Sequence, residues 1–267
     1  MNQKKLKFIT SVFSDSVREV LSDLKGDHLW LNGVGKMVLS KMNEEIILED
    51  MILFKKYLKN GEVLDFGTGS GYMALLFAND GFKVKAVDVD NYDEYDKNEY
   101  NLLMTQDQKK LWGKFTRNFK NLIFTHYKDD LPYKDNSFDG VCAYAVLEHI
   151  PVSKIPNVLN EIHRVLKPGG VLFVSRLPRK LAWSEHLAKI LGLGYHKKLF
   201  WDHEMSQFLV KSNFKIIKES YEEIVPAYPE SITNYLYPFL KITNKLLLWT
   251  PLKYFSHHLR IVSKVNK

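Results

Sequence analysis

The chain has 267 residues, of which 45% are hydrophobic and 26% are charged, and it contains a single cysteine. This composition is typical of a globular protein with a substantial core, and it excludes an internal disulfide and a multi-cysteine metal cluster. The net charge of +7 is concentrated late in the chain, because the residues from Arg176 onward include 15 Lys and Arg but only 7 Asp and Glu. Since no nucleic-acid motif accompanies this charge, we expect no specific nucleic-acid partner.

The first twenty residues are basic, but Ser14, Asp15, Arg18 and Glu19 interrupt their apolar stretches, so no signal-peptide core forms. No stretch of uninterrupted apolar residues is long enough for a membrane-spanning helix. A single cysteine also suits a reducing compartment. We therefore expect a cytoplasmic location, with peripheral membrane contact as an alternative.

Helical periodicity marks the N-terminal part of the chain. Apolar residues recur at three- and four-residue intervals within residues 11–57, and Gly26 and the segment LNGVG form breaks. We expect residues 1–57 to form a helical extension that caps the rest of the protein.

From residue 58 onward, short β-rich runs alternate with helical ones. The strand-like runs are EVLDF, KVKAVDV, NLIFTHY, GVCAYA, GVLFVS and FKIIKESY. This alternation predicts an α/β fold, a doubly wound and mainly parallel sheet with helices on both faces. We expect residues 58–267 to form this domain, with substrate-side insertions at 177–210 and 226–258.

The segment VLDFGTGSG forms the turn between the first strand and its helix, with Asp65 ahead of Gly67, Thr68, Gly69 and Gly71. Glycine permits positive φ angles and close approach of the backbone to a ligand, and this turn is the usual ligand site of an open parallel sheet. A phosphate loop would end in GK[ST], and a dinucleotide fingerprint would have glycine at position 72, where tyrosine stands. The turn therefore predicts a bound ligand of another nucleotide class.

Asp88 ends the strand KVKAVDV and is followed by Val89. A carboxylate at this position can accept hydrogen bonds from both ribose hydroxyls of a nucleoside. Asp90 is an alternative for the same role, although it falls beyond the strand tip. By itself this feature also suits NAD.

The segment LPYKDNSFDGVCAYAVLEHI is followed by EIHRVLKPGGVLFVS. Together with the glycine turn and Asp88, these motifs resemble the type-11 family of class I S-adenosylmethionine-dependent methyltransferases, over roughly residues 61–175. The resemblance implies a Rossmann-like sheet of about seven strands, with S-adenosylmethionine as co-substrate. It also implies methyl transfer to an oxygen, nitrogen or carbon nucleophile of a small-molecule or lipid-linked acceptor.

The resemblance implies further cofactor-binding residues. Ala143 is small enough to admit the methionine part of the donor, and Tyr144 places its ring or hydroxyl near the sulfonium, unless it is an ordinary strand-end tyrosine. The family usually has an acidic residue for the adenine where this chain has Tyr127. Either stacking and backbone groups hold the adenine, or neighbouring residues take over this role, and the candidates are Asp129, Asp130 and Leu131.

Glu148 and His149 invite a catalytic or metal-binding interpretation. Ubiquinone-pathway O-methyltransferases resemble this segment but have a further glutamate where this chain has Ala145. We therefore expect no metal, and Tyr144 and His149 are the catalytic candidates. A lone histidine is more often structural, so His149 is also interpreted as a helix residue packed under the site.

The segment 226–258 is unusually apolar, with helical spacing at Ile232, Tyr235, Leu236, Phe239 and Leu240 and with lysines between them. This pattern favours a helix packed on the sheet with its lysines in water. The alternatives are the wall of an apolar acceptor pocket and peripheral membrane contact through residues 231–258.

Two other functions stay open at this point. A non-catalytic binding module that keeps the methyltransferase fold is compatible with Tyr127 and with the lack of an obvious base. A nicotinamide-dependent oxidoreductase is compatible with Asp88 but is disfavoured by Tyr72.

Overall fold

The computed structural model describes residues 1–24, 28–89, 100–128, 130–192, 196 and 198–267, apart from the side chains of residues 29 and 100–105. The strands are β1 (Glu62–Phe66), β2 (Lys83–Val89), β3 (Leu122–Tyr127), β4 (Phe138–Tyr144), β5 (Leu166–Pro178), β6 (Phe214–Glu222) and β7 (His258–Val265). The α-helices are α1 (Gln3–Ser22), α2 (Leu29–Leu39), α3 (Lys41–Tyr57), α4 (Tyr72–Asn79), α5 (Tyr100–Asn118), α6 (Ile155–Val165), α7 (Trp183–Ile190), α8 (Asp202–Lys211), α9 (Glu230–Tyr235) and α10 (Tyr237–Leu248). Short 3₁₀ turns cover Leu147–His149, Val152–Lys154 and Pro251–Phe255.

The seven strands form one sheet in the order β3-β2-β1-β4-β5-β7-β6. The pairs from β3 to β5 are parallel, whereas β7 runs antiparallel to both of its neighbours. The predicted mainly parallel α/β sheet of about seven strands is confirmed. Because the strand order reverses between β1 and β4, a crevice opens at their carboxyl ends, which is where this type of sheet binds ligands.

Side chains alternate between the two faces of the sheet, as strand geometry requires. Val63 and Phe173 belong to a core shared with α1, α3, α4 and α5, while Leu64 and Leu172 belong to a second core shared with α6 and α8. Phe54 of α3 packs its ring against three aromatic rings of the first core at centroid distances of 4.6–5.8 Å. The N-terminal helices are therefore built into one layer of the fold.

Tyr72, the first residue of α4, holds the N-terminal helix α1 in place. Its hydroxyl lies 2.8 Å from Thr10 Oγ1, and its ring packs edge-on against Phe13 at 5.0 Å. The residue that departs from the dinucleotide fingerprint thus joins the glycine turn to α1.

The C-terminal apolar segment is oriented differently from the favoured prediction. It forms two helices, α9 and α10, and the apolar stripe that we expected to pack on the sheet is instead exposed: Tyr235 is 86% exposed and Phe239 is 68% exposed. The physical reason lies on the other side of α10. Lys241 and Lys245 form ion pairs with Glu45 of α3 at 2.8 and 3.2 Å, so the charged side of the helix faces the protein.

Within the described part of the chain, no helix is both long and apolar enough to cross a membrane.

Candidate active site

The turn after β1 adopts a backbone conformation that favours glycine at three positions. Gly67, Gly69 and Gly71 have φ angles of 68°, 52° and 82°. A Cβ at Gly67 would lie 2.1 Å from Val146, and one at Gly71 would lie 2.8 Å from Phe124. By contrast, among the described residues a Cβ at Gly69 would meet no atom within 4 Å, which leaves room for a ligand above this glycine.

Two carboxylates flank this turn. Asp65 is buried and accepts a hydrogen bond of 2.5 Å from the hydroxyl of Thr68, and burial raises the pKa of Asp65 to about 7. Asp88, at the end of β2, accepts a hydrogen bond of 2.6 Å from the backbone N–H of Gly69. Gln108 of α5 also donates to Asp88, at 3.4 Å. The backbone N–H of Val89 donates to the other oxygen of Asp88 at 2.9 Å, so hydrogen bonds hold this carboxylate beside the glycine turn.

A cavity of about 610 Å³ opens at the carboxyl edge of the sheet. The predicted site residues that line it are Asp65, Gly67, Thr68, Gly69, Tyr144 and His149. The helices α2 and α3 contribute Trp30, Val34, Met37, Asn43 and Ile47. The structure therefore brings the glycine turn, the end of β4 and the N-terminal helices together around one space.

The other predicted cofactor residues, Gly71 and Asp88 among them, lie outside this cavity lining. Val89 ends β2, Asp130 is exposed in the loop after β3, and Leu131 is buried in the second core. Ala143 is fully buried in that core, and Ala145 contributes to the cavity lining instead. Asp129, and also Asp90, which was the alternative to Asp88, lie outside the described residues.

The backbone takes left-handed conformations where β4, β5 and β6 reach the cavity. Ala145, Arg176 and Glu223 have φ angles of 52°, 60° and 54°, and all three line the cavity. Arg176 lies in a register shift of β5 against β7, between Val174 and Leu177. Such bulges redirect side chains, and unfavourable backbone conformations concentrate at functional sites.

Arg176 is the centre of a buried polar network on the cavity wall. It donates to the hydroxyl of Tyr144 at 2.9 Å, to the carboxylate of Glu223 at 2.5 Å and to the side-chain oxygen of Asn43. Burial alone would raise the pKa of Glu223, but Arg176 and His258 outweigh it and lower the pKa. The guanidinium therefore has an ionised partner.

The two catalytic candidates occupy different environments. Tyr144 is half-buried at the end of β4, and burial raises the pKa of its hydroxyl although Arg176 opposes this shift. Its hydroxyl is thus a poor proton acceptor at neutral pH. His149 belongs to the 3₁₀ turn after β4, and its side chain is 69% exposed, so it is not packed under the site as one interpretation had it.

Three segments that are distant in the sequence place a carboxylate between two histidines on the cavity wall. Glu185 of α7 lies 2.7 Å from Nδ1 of His196 and 2.5 Å from Nε2 of His257. Burial alone would raise the pKa of Glu185, but its hydrogen bonds to the two histidines outweigh burial and lower this pKa. His258, stacked on His257 at 3.9 Å, has its pKa lowered to about 3 by burial and by His257, so its ring is neutral at physiological pH.

Glu148 is buried, and among the described residues neither of its carboxylate oxygens has a hydrogen-bond partner. Burial raises the pKa of Glu148 to about 7. Burial also lowers the pKa of Lys198 to about 8, and the Lys198 ammonium donates to the backbone oxygens of Leu147 and Ile150 on either side of this glutamate. An uncharged carboxyl can therefore exist here near neutral pH.

The sequence analysis did not identify Arg176, Glu185, Glu223 or His257 as site residues. Arg176 follows the strand-like run GVLFVS, and His257 stands in the pair His257–His258 at the start of β7. Arg176, Glu223 and His257 lie near strand ends, which is a weak signal, whereas Glu185 lies in α7 and has none. The partners of each residue come from remote segments.

Comparison with known proteins agrees with this geometry. Residues 39–219 match the family described as methyltransferase domain. A demethylmenaquinone methyltransferase from Symbiobacterium thermophilum is 31% identical over 112 residues, which are 41% of this chain and 39% of that protein. A ubiquinone/menaquinone biosynthesis C-methyltransferase from Rickettsia akari is 36% identical over 112 residues, 42% of each chain. The matched segment thus spans about two-fifths of the length of these relatives.

Solved structures share the fold at low sequence identity. An S-adenosylmethionine-dependent methyltransferase from Methanosarcina mazei superimposes with a TM-score of 0.53 at 18% identity, over 80% of this chain and 96% of that one. The 1,6-didemethyltoxoflavin-N1-methyltransferase of Burkholderia thailandensis was solved with S-adenosylhomocysteine. It superimposes with a TM-score of 0.52 at 16% identity, over 91% of this chain and 92% of that one. Family match, relatives and fold agree, and this chain belongs to the class I S-adenosylmethionine-dependent methyltransferases.

Proposed function

We propose that this protein transfers a methyl group from S-adenosylmethionine to a small-molecule acceptor that carries an apolar tail. The observation that carries the proposal is the cavity at the carboxyl edge of the sheet. One wall of this cavity is the glycine turn, the opposite wall is polar and rich in histidine, and an apolar groove lies next to it.

The glycine turn and the ends of β1 and β2 are proposed to hold the donor. The open space above Gly69 admits the ligand, the carboxylate of Asp65 suits a positively charged amino group, and Asp88 suits the ribose hydroxyls. Val89, Asp130 and Leu131 are proposed to contact the adenine. S-adenosylmethionine, when bound, supplies an electrophilic methyl group on a sulfonium.

The segments outside the sheet are proposed to form the acceptor side. Residues 1–57 act as a cap, because α2 and α3 line the cavity, and the rest of the chain forms the methyltransferase domain. Within that domain, insertion 177–210 contributes Glu185 and His196, and insertion 226–258 contributes Tyr228 and His257. Specificity then resides in parts of the chain that vary independently of the donor site.

Tyr144 and Arg176 are proposed to position the reacting groups. The hydrogen bond from Arg176 fixes the Tyr144 hydroxyl, so its ring and oxygen present a stable surface beside the donor turn. Methyl transfer from a sulfonium is an in-line displacement, and correct positioning supplies much of its acceleration. We propose that His149, which is exposed at the cavity, accepts a proton from the acceptor.

The apolar tail is proposed to enter from a membrane surface. Phe239, Ile242, Leu246 and Trp249 follow one face of α10 and are exposed, and Trp249 is 92% exposed. A groove of about 490 Å³ continues this surface between the start of α7 and the 3₁₀ turn Pro251–Phe255. Aromatic residues at the edge of an apolar face are typical of membrane-interface contact.

The same two segments of the chain contribute residues to both the groove and the cavity. On α7, Trp183 lines the groove and Glu185 lines the cavity; on the segment after β6, Val225 lines the groove and Tyr228 lines the cavity. We propose that an acceptor with its tail in the groove reaches the cavity wall with its head group.

We propose an anionic membrane as the occupant of this surface, because the excess of positive charge lies in the same third of the chain. Lys189 is exposed beside Ile190, which is 79% exposed, and Lys253 lies over the ring of Tyr254 at 5.3 Å. A second copy of the chain is the competing occupant. It would appear as a dimer in light scattering that dissociates when Trp249 is replaced by serine.

The proposed function is tested by turnover. The protein is incubated with S-adenosylmethionine and hydroquinone acceptors, with and without a prenyl tail, in vesicles that contain anionic lipid, and product and S-adenosylhomocysteine are measured by mass spectrometry. Methylation that is faster for the tailed acceptor supports the proposal. A folded protein that binds the donor but methylates neither acceptor in such a panel would instead support a non-catalytic binding module.

A further inference from the structure

We propose that Glu185, His196 and His257 bind one divalent transition-metal ion, with Zn²⁺ as the first candidate, and that this ion holds an oxygen atom of the acceptor. The inference rests on the proposed function for the role of the ion but not for the existence of the site. It departs from the sequence analysis, which expected no metal.

The three side chains have the composition and spacing of a metal site. One oxygen of Glu185, Nδ1 of His196 and Nε2 of His257 all lie within 4.8 Å of one another. Two histidines and one carboxylate are a common ligand set for catalytic zinc and for non-haem iron. In such sites the protein supplies three ligands, and the remaining position takes water or substrate.

The ligands are held in place by the surrounding backbone. The second oxygen of Glu185 accepts a hydrogen bond of 2.8 Å from the backbone N–H of His196. His257 donates its backbone N–H to the carbonyl oxygen of Glu223 at 2.8 Å, and its own carbonyl oxygen accepts from Arg179 at 3.0 Å. A site whose ligands are already oriented loses less entropy when the ion binds.

A second group of potential ligands lies beside the first but is less suited to a cation. It consists of Glu223, His257 and His258. The guanidinium of Arg176 lies 2.5 Å from Glu223 and 3.5 Å from His258, so a positive charge already occupies this position. Arg176 therefore directs an ion toward Glu185, because like charges repel strongly where water is excluded.

The first group faces the acceptor side of the cavity. All three ligands line the same space as the glycine turn, and both Glu185 and His257 adjoin segments that border the apolar groove. The buried carboxyl of Glu148, which has no hydrogen-bond partner among the described residues, adds negative charge on the same side when it ionises. An ion here thus meets the head group of a tailed acceptor.

The position of the ion beside the acceptor determines its effect on the acceptor hydroxyl. A hydroxyl bound to Zn²⁺ loses its proton more readily, because the ion stabilises the oxyanion. The proton passes to His149, which lines the same cavity. The oxygen–carbon bond forms as the sulfur–carbon bond of the donor breaks, and the ion keeps its oxidation state. The acceptor atom is then an oxygen.

The test measures metal binding in the absence of any acceptor. The full-length protein is stripped with a chelator, dialysed and titrated calorimetrically with Zn²⁺, and Co²⁺ is added in parallel to record its visible absorption spectrum. We expect one equivalent of Zn²⁺ per chain and a Co²⁺ spectrum of low coordination number. The variants His196→Ala and Glu185→Gln should bind about 100-fold more weakly or not at all, since each removes one of three protein ligands.

The matched control is His203→Ala, which removes an exposed histidine of α8. It should bind Zn²⁺ like the wild type. The site is overturned if the folded wild type binds no Zn²⁺, or if His196→Ala and the wild type bind it alike. S-adenosylhomocysteine binding by the stripped protein is measured separately: its loss would count against the proposed function, whereas its persistence with no metal binding would overturn the metal site alone.

Discussion

Lys241 of α10 donates a hydrogen bond of 2.8 Å to the carboxylate of Glu45 in α3, and Lys245 joins the same carboxylate at 3.2 Å. These contacts turn the charged side of α10 toward the protein. The apolar side, with Phe239 and Trp249, is therefore exposed. An amphipathic helix in this orientation has its hydrophobic face available for a membrane.

Replacing Trp249 by serine should weaken binding to anionic vesicles by about tenfold or more, because burying one large apolar side chain contributes roughly 1.5–3 kcal/mol. Vesicle sedimentation measures this change. The matched control is Phe8→Ser, which removes an exposed aromatic residue from α1. Equal loss of binding in both variants, or no vesicle binding by the wild type, contradicts the proposed membrane contact.

Gly69→Ala should reduce affinity for S-adenosylhomocysteine strongly while the protein stays folded. The added Cβ meets no atom of the residues that the structure describes, and it enters the space proposed for the ligand. The control is Gly81→Ala, in the turn after α4, where φ is also positive at 96° and the space is also open. Both variants should lose about 1 kcal/mol of stability from the left-handed backbone. Calorimetry that finds the same affinity in both would show that the ligand does not occupy the space above Gly69.

Asp65 should release a proton when the donor binds. Its pKa is raised to about 7 by burial, so at pH 6 about nine-tenths of the carboxyl is protonated. A positively charged amino group beside it favours the ionised form and drives the proton off. Titration calorimetry in buffers of different ionisation enthalpy should detect nearly one proton released at pH 6 and almost none at pH 8.5. Asp65→Asn should abolish this pH-dependent release, and an unchanged release in that variant would place its source elsewhere.

Glu148 should make the protein less stable as the pH rises from about 4.5 to 7. The folded state raises the pKa of this carboxyl from 4.5 to about 7, so it binds the proton more tightly than the unfolded chain does. The stabilisation is complete below pH 4.5 and is lost as the pH passes through 7. Over that range the contribution is on the order of 3 kcal/mol.

The variant Glu148→Gln removes this titration. Denaturant unfolding at pH 8 should show a higher free energy of unfolding for the variant than for the wild type, and the difference should vanish near pH 4. Glu230→Gln, on a partly exposed residue of α9, serves as the control and should change neither value. If the difference in free energy of unfolding between the wild type and Glu148→Gln does not change with pH, the pKa of Glu148 is not raised.

The fold could be predicted in most respects because its signals are local. Short segments of the sequence contain the signals for the fold. These signals are the alternation of strand and helix, the glycines at positive φ and the carboxylate near the end of β2. The orientation of α10 could not be predicted, because a hydrophobic stripe normally faces the core. Its partner Glu45 is 196 residues from Lys241, and no local pattern reveals that pairing.

The residues of the candidate site also fall into those that the sequence predicts and those that it does not. Gly67, Gly69 and Asp65 were identified from one contiguous motif, and the structure places them on the cavity wall. Glu185 and His257 come from separate segments that meet only when the chain folds around β7. Each is an ordinary residue in its own segment, so their chemistry arises from a contact that the sequence pattern does not contain.

Calorimetric titration with S-adenosylhomocysteine decides whether the glycine turn and Asp88 form the donor site. The wild type and Asp15→Asn, an exposed position on α1, should bind one equivalent with the same affinity. Asp88→Asn should bind about 10- to 100-fold more weakly, because hydrogen bonds to a charged acceptor contribute about 1.5–3 kcal/mol. No binding by the folded wild type, or equal affinity in Asp88→Asn, would show that Asp88 and the glycine turn do not hold the donor.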